Sequence, residues 1–152
     1  MSTRSNIIIK NGRTEILFYR HYDGYLIETG QDLHDDLSNS YFDNVGQYFN
    51  IAKFTEKLLS QNSSYRIINE LAGDIEYLYT FEFEDVYIHS DHYNRVKLKS
   101  IEVDQSMYGG GGKNKYKSLS KFQDAINKTK IRSKQWTEIK NMKCCLNKLG
   151  RK

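Results

Sequence analysis

Ile75-Glu76-Tyr77-Leu78-Tyr79-Thr80-Phe81-Glu82-Phe83 places an aromatic ring at every second position from Tyr77 to Phe83. Successive side chains of a strand point to opposite faces, so Tyr77, Tyr79, Phe81 and Phe83 share one face. The other face carries Glu76, Leu78, Thr80 and Glu82, the pattern of a half-buried strand. Such a strand needs a sheet around it, and the flanking sequence offers partners. Val86-Tyr87-Ile88 extends or continues it, and Ser90 to Asn94 reads as a polar turn. Val96, Leu98, Ile101 and Val103 mark a further strand with an irregularity near Ser100, so the middle of the chain reads as an antiparallel meander.

Upstream, Ile7 to Lys10 is apolar and β-branched, Asn11-Gly12 is a favoured pair for a two-residue turn, and Thr14 to Tyr22 resumes a strand. These features predict a β-hairpin. Asp23-Gly24 offers a second turn, with Asp23 capping it and Gly24 supplying a positive φ. Gln31 to Leu37 predicts a short helix that ends in Ser38-Asn39-Ser40 and buries Leu33 and Leu37. From Asp43, an N-cap candidate, apolar residues recur at three- and four-residue steps through Phe49, Ala52 and Leu59. That spacing predicts a central helix to about Ser60. Tyr65 to Leu71 is open between strand and helix.

Downstream, the glycine run 109–112 followed by Lys113-Asn114-Lys115-Tyr116-Lys117 predicts a loop, because glycine loses the most backbone freedom on ordering. Ser120 is a candidate cap for a helix holding Phe122, Ala125 and Ile126. Ser133 is a candidate cap for a second, whose stripe is Trp136, Ile139, Met142, Cys145, Leu146 and Leu149. The fold class that follows is α+β: an antiparallel sheet of four to five strands packed on a central helix, with a basic C-terminal helical pair. The corresponding division is an α+β core over 1–106, a Gly/Lys-rich loop or linker over 107–117, and a basic helical appendage over 118–152.

At 152 residues the chain has the size of one domain, and 12 Tyr, 7 Phe and a single Trp concentrate its burial in large side chains. No run approaches the ~20 apolar residues of a membrane span, and Ile7-Ile8-Ile9 is too short for a signal-peptide core. The expected location is the cytoplasm. Cys144 and Cys145 are adjacent, where a disulfide is badly strained and a metal lacks partners, so both read as reduced thiols.

Charge is distributed unevenly. Residues 105–152 hold 13 Lys or Arg against Asp124 and Glu138, a net +11, which leaves −7 on the rest of a chain of overall charge +4. Clustered cations create a field that attracts phosphates and carboxylates, unless the two halves neutralise one another within a monomer or dimer. Lys113, Lys115, Lys117, Lys121, Lys128, Lys130, Arg132 and Lys134 crowd a segment that also offers Tyr108, Tyr116 and Trp136. Phosphates can meet the lysines and bases can stack on the tyrosines, and the excess of Lys over Arg suits sequence-independent binding. The same helices can present Trp136, Ile139 and Met142 to a protein or to an acidic membrane surface. The expected partner is therefore RNA or DNA, or an acidic surface of a protein complex.

A second candidate is Tyr19-Arg20-His21-Tyr22-Asp23-Gly24-Tyr25, where a strand runs into a turn. Arg20, His21 and Tyr25 are placed to contact an anion or a partner backbone. For catalysis the signals are weaker. His21, His34, His89 and His92 have Asp23, Asp35, Asp36 and Asp91 nearby, enough N and O donors for a metal but without a metal-site spacing. Phosphate-loop and nucleophile-elbow motifs are absent, and neither a cofactor nor a catalytic residue is assigned. The competing functions are a metal-dependent phosphodiesterase or nuclease and a protein that sequesters a nucleotide signal.

The string Phe18-Tyr19-Arg20-His21-Tyr22-Asp23-Gly24-Tyr25, with Gly30, Leu33 and the later Gly73-Asp74-Ile75-Glu76-Tyr77-Leu78-Tyr79, resembles a family of small phage and prophage proteins. The likeness spans roughly residues 7–85. Leu26 stands where that family often has proline, and the basic rear has no counterpart in it. The resemblance implies a phage accessory role in the cytoplasm of a host cell, such as anti-CRISPR-like interference with a host defence complex, and carries over no reaction and no catalytic residue. With the catalytic motifs missing, binding to a surface of a host protein complex is favoured over catalysis.

Overall fold

The computed structural model describes residues 3–40, 49–60, 64–85, 95–106 and 111–149. Strands β1 (Ser5–Asn11) and β2 (Thr14–Arg20) form the expected hairpin, paired from Ser5↔Arg20 to Asn11↔Thr14. Its two-residue loop is Gly12-Arg13 instead of Asn11-Gly12. Gly12 takes φ +60 at the first loop position, as a type II′ turn requires, and the register moves by one residue. A π-helical turn (Leu26–Gly30) leads into α1 (Gln31–Ser38), matching the predicted short helix.

Further along lie β3 (Phe49–Asn50), α2 (Ile51–Ser60), β4 (Tyr65–Ile68), β5 (Tyr77–Asp85), β6 (Arg95–Asp104), β7 (Lys113–Tyr116) and α3 (Leu119–Leu149). The segment that sequence left open at Tyr65 is thus a strand. The predicted central helix begins only at Ile51: Phe49 and Asn50, read as helical, form β3, and Asn50 Oδ1 accepts from the Lys53 N–H at 3.0 Å at the helix start. Asp43 and Val45 lie outside the described residues, as do Val86 to Asn94 and Tyr108.

The class is α+β, but the sheet is larger and of mixed direction. Seven strands run in the order β3-β6-β5-β1-β2-β4, with β7 beside β6, instead of the four or five antiparallel strands expected. Three causes account for the difference. Phe49–Asn50, read as part of the central helix, pairs with β6, Phe49 opposite Val96. β1 lies parallel to β5, from Ser5↔Tyr77 to Asn11↔Phe83, a pairing that no local pattern announces. Lys113-Asn114-Lys115-Tyr116, read as loop, pairs with β6 from Ile101↔Tyr116 to Asp104↔Lys113. A register shift at Glu82/Phe83 opposes Ser100 and Leu98, where the irregularity was expected.

Ile7, Ile9, Phe18, Tyr79, Phe81, Phe83, Ile101 and Val103 line the inner face of the sheet. Leu33 and Leu37 of α1, Phe54 and Leu58 of α2, and Phe122 and Ile126 of α3 belong to the same buried cluster. Aromatic edges join the layers: Phe54 meets Phe81 at 5.7 Å, and Phe122 meets Phe81 at 6.2 Å and Tyr116 at 5.6 Å. Across the sheet, Asn6 donates to the Ala72 carbonyl and Arg4 pairs with Asp74, tying down the segment before β5.

The expected C-terminal helical pair is one continuous helix. Ser133 is an interior residue whose carbonyl accepts from the Thr137 hydroxyl at 3.0 Å, so it caps nothing. The helix opens instead at Ser118, whose Oγ accepts from the Lys121 N–H at 3.2 Å.

Candidate functional site

Helix α3 has two environments along its length. Leu119, Phe122 and Ile126 dock onto the core, and Thr129 is the last residue before Lys143 that is partly shielded from solvent. Every residue from Lys130 to Lys143 is exposed. At 1.5 Å per residue, Ile131 to Leu149 extends ~28 Å beyond the docked turns. At 100° per residue, the apolar direction of Leu119, Phe122 and Ile126 differs by roughly 150° from that of Ile131, Trp136, Ile139 and Met142. The projecting stripe therefore points away from the protein's own core. Trp136 and Met142 are each 65% exposed.

Lys121, Lys128, Arg132 and Lys143 fall within an arc of roughly 60° on this helix and span ~33 Å, close to one turn of a nucleic-acid duplex. Among the described residues, no cation of α3 pairs with a carboxylate. Lys130 donates to Gln31 Oε1 at 2.7 Å, a neutral acceptor that leaves its charge uncompensated. Lys134 and Lys140 are exposed elsewhere around the same helix.

The cations of β7 differ. Lys113 lies 3.9 Å from Asp104, and Lys115 sits opposite Glu102 in the ladder. The Ser106 hydroxyl holds the Asp104 carboxyl below the usual carboxylate range, and the Ser106 N–H and Lys113 add to the effect. Lys117, in the bend before α3, is exposed. Tyr116, expected as a stacking platform, is aligned with Ile101 and packs its ring on Phe122. Burial pushes its phenol up. Trp136 is the aromatic residue that α3 offers to solvent.

The Arg20 to Tyr25 turn is knitted into the fold. Arg20 Nη1 donates to Thr29 Oγ1 at 2.9 Å, to Asp32 Oδ2 at 2.9 Å and to the Tyr65 hydroxyl at 3.0 Å. Its guanidinium sits 5.0 Å from the centre of the Tyr65 ring, and its side chain is only 13% exposed. Asp23, not Gly24, takes the positive φ, at 56°. Glycine is needed at position 24 for close approach, because a Cβ there falls 2.9 Å from the Thr3 carbonyl oxygen. Tyr79 donates to the Gly24 carbonyl at 2.7 Å, and the Thr29 hydroxyl donates to the Asp23 carbonyl at 2.6 Å. Tyr25 leans its edge on Tyr77 at 6.1 Å.

His21 points to another neighbourhood. Its Nδ1 lies 2.8 Å from the Tyr19 hydroxyl, and its ring meets Tyr22 edge-on at 4.5 Å. These three residues, with Ser64 and Arg66, line a cavity of about 320 Å³. Sequence reasoning missed Ser64 and Arg66, because only the β2/β4 register, Tyr19↔Arg66, brings them there.

Of the other histidines, His34 lies 3.0 Å from Asp35 and stacks near Phe122, while His89 and His92 lie outside the described residues. Among the described residues, no three His, Cys, Asp or Glu side chains converge as metal ligands would, and no helix is long and apolar enough to cross a membrane. The chain matches no protein-family model, no curated protein and no solved structure.

Proposed function

We propose that this chain is a non-enzymatic phage accessory protein that binds and inhibits a host nucleoprotein complex, with α3 gripping the phosphate backbone of its nucleic acid. The observation that carries the reading is the row Lys121, Lys128, Arg132 and Lys143, exposed on one side of α3 without carboxylate partners among the described residues. Charges held this way gain by releasing counterions from phosphates, and Trp136 among them adds a ring on which a base can stack. The binding is sequence-independent, since lysine ammonium groups act as point charges and not as base-reading forks.

Affinity for transfer RNA and duplex DNA measured across a salt series tests the proposal. The expected log–log slope is about −3 to −4 for duplex DNA, and Lys128→Ala and Arg132→Ala each reduce its magnitude by about 1. Truncation after Lys130 removes Arg132, Trp136 and Lys143 and is expected to lower the magnitude of that slope by about 2, while leaving β7 and the docked turns in place. Salt-independent binding, or full binding by the truncated chain, would sink the proposal.

A second reading, an acidic protein face, is favoured by the exposure of Ile131, Ile139 and Met142 on the same projection. It predicts that Ile139→Asp abolishes binding to a host complex while leaving affinity for naked nucleic acid within about twofold.

A further inference from the structure

The cavity between β2 and β4 has the chemistry of an anion site. Among the described residues its lining is Tyr19, His21, Tyr22, Ser64 and Arg66, none of them a carboxylate. Arg66 is exposed and, among the described residues, has no ion-pair or hydrogen-bond partner. It is held directly opposite Tyr19 by the antiparallel ladder, so its position is set by strands and not by a loop. The contact between the Tyr19 hydroxyl and His21 Nδ1 occupies one ring nitrogen; in the tautomer with the hydroxyl donating, Nε2 carries the proton and serves as a donor. Ser64 adds a hydroxyl. Beside these donors stands the Tyr22 ring, 63% exposed and fixed edge-on against His21.

A guanidinium, an imidazole N–H and a hydroxyl around one concavity match the three oxygens of a terminal phosphate, and an exposed ring beside them suits a planar group attached to it. The geometry points to a binding site for a phosphate monoester carried on an aromatic base, such as a nucleoside 5′-monophosphate. The volume is at the small end of ligand sites and accommodates one such unit. The site stands apart from the reading of α3 and uses none of its cations.

The test uses the full-length protein and isotope-edited NMR titrations with AMP, inorganic phosphate and adenosine. AMP is expected to saturate shifts at residues 19–22, 64 and 66 below about 1 mM, with adenosine at least tenfold weaker and phosphate competing. Arg66→Ala weakens AMP about tenfold or more, and Arg66→Lys weakens it less, because charge is retained without the fork. Tyr22→Ala lowers the preference for AMP over phosphate. Lys128→Ala leaves AMP affinity unchanged, which separates this site from the α3 surface.

Comparing 5′-phosphorylated with 5′-hydroxyl oligonucleotides identifies the source. Preference for the phosphorylated strand over AMP assigns a strand end, and equal or tighter AMP binding assigns a free nucleotide; both outcomes support the proposed chemistry. Absence of AMP-dependent shifts at these residues overturns it. So does an AMP affinity unchanged in Arg66→Ala, a substitution on an exposed edge whose folding is checked by its melting temperature.

Discussion

The first three turns of α3 and the projecting turns after them belong to one helix but obey different rules. Phe122 and Ile126 are fully buried, and their neighbours bond to α1, as when Gln123 donates to Gln31 at 2.9 Å. Beyond Thr129 the same backbone carries Trp136, Ile139 and Met142 into solvent. Tertiary packing supports the first part, whereas a free helix of this length is marginal in water. The apolar side also swings around the helix between the two parts, so lengthening the docked surface would not bury the projection. One part maintains the fold and the other is available to a partner.

The largest test of that contrast is Phe122→Ala. It empties a site in contact with Phe81 and Tyr116 and is expected to cost about 3–5 kcal/mol in denaturant unfolding. The paired change Trp136→Ala should move stability by less than about 0.5 kcal/mol. A loss above ~1 kcal/mol at Trp136 would mean that the projection is packed against something, and the contrast would fail.

Next in size is Arg20→Ala, which leaves Asp32, Thr29 and the Tyr65 hydroxyl without their shared donor. A loss of about 2 kcal/mol is expected, and this would distinguish a structural arginine from the exposed, stability-neutral Arg132. Alkaline titration sharpens the same comparison. Burial pushes the phenols of Tyr65 and Tyr79 up, so both stay protonated in the folded chain where the unfolded chain, with ordinary values near ~10, releases protons. Their stabilisation is complete below about pH 10 and is lost as pH climbs through the raised folded values. Denaturation midpoints should fall above that pH, and Tyr65→Phe should flatten the fall. Smallest of all, Lys128→Ala and Lys143→Ala should leave unfolding unchanged within about 0.5 kcal/mol while weakening polyanion binding.

The legible parts of the fold are those written in local periodicity. The alternation from Tyr77 to Phe83 gave a strand with its inner face assigned, and Leu33 and Leu37 gave a helix with its buried side. Pairing partners are another matter, since nothing near Ile7 specifies Tyr79 as its neighbour. β7 escaped notice because Lys-Asn-Lys-Tyr lacks an apolar alternation. Its lysines suit an edge strand, where charge discourages further pairing. Ser133 misled because serine is a good cap but is also tolerated in an exposed helix interior.

For the candidate surface, the charge excess was plain in composition, whereas the roles within it were not. Tyr116 reads like Trp136 in sequence, and only its alignment with Ile101 turns it inward. Arg20 reads as a contact residue because its partners Thr29, Asp32 and Tyr65 are remote or unmarked. Arg66 carries no local signal at all, and its setting is created by the sheet.

The parallel union of β1 with β5 also dictates when the molecule can form. The N-terminal hairpin leaves the ribosome with its Ile7-Ile8-Ile9 edge lacking a mate, and that mate is translated about seventy residues later. For several seconds of synthesis the nascent chain displays a naked, strongly β-forming ribbon. Completion of the sheet therefore waits on its most aromatic segment, and until that segment is made the outer edge of β1 is open to other strands.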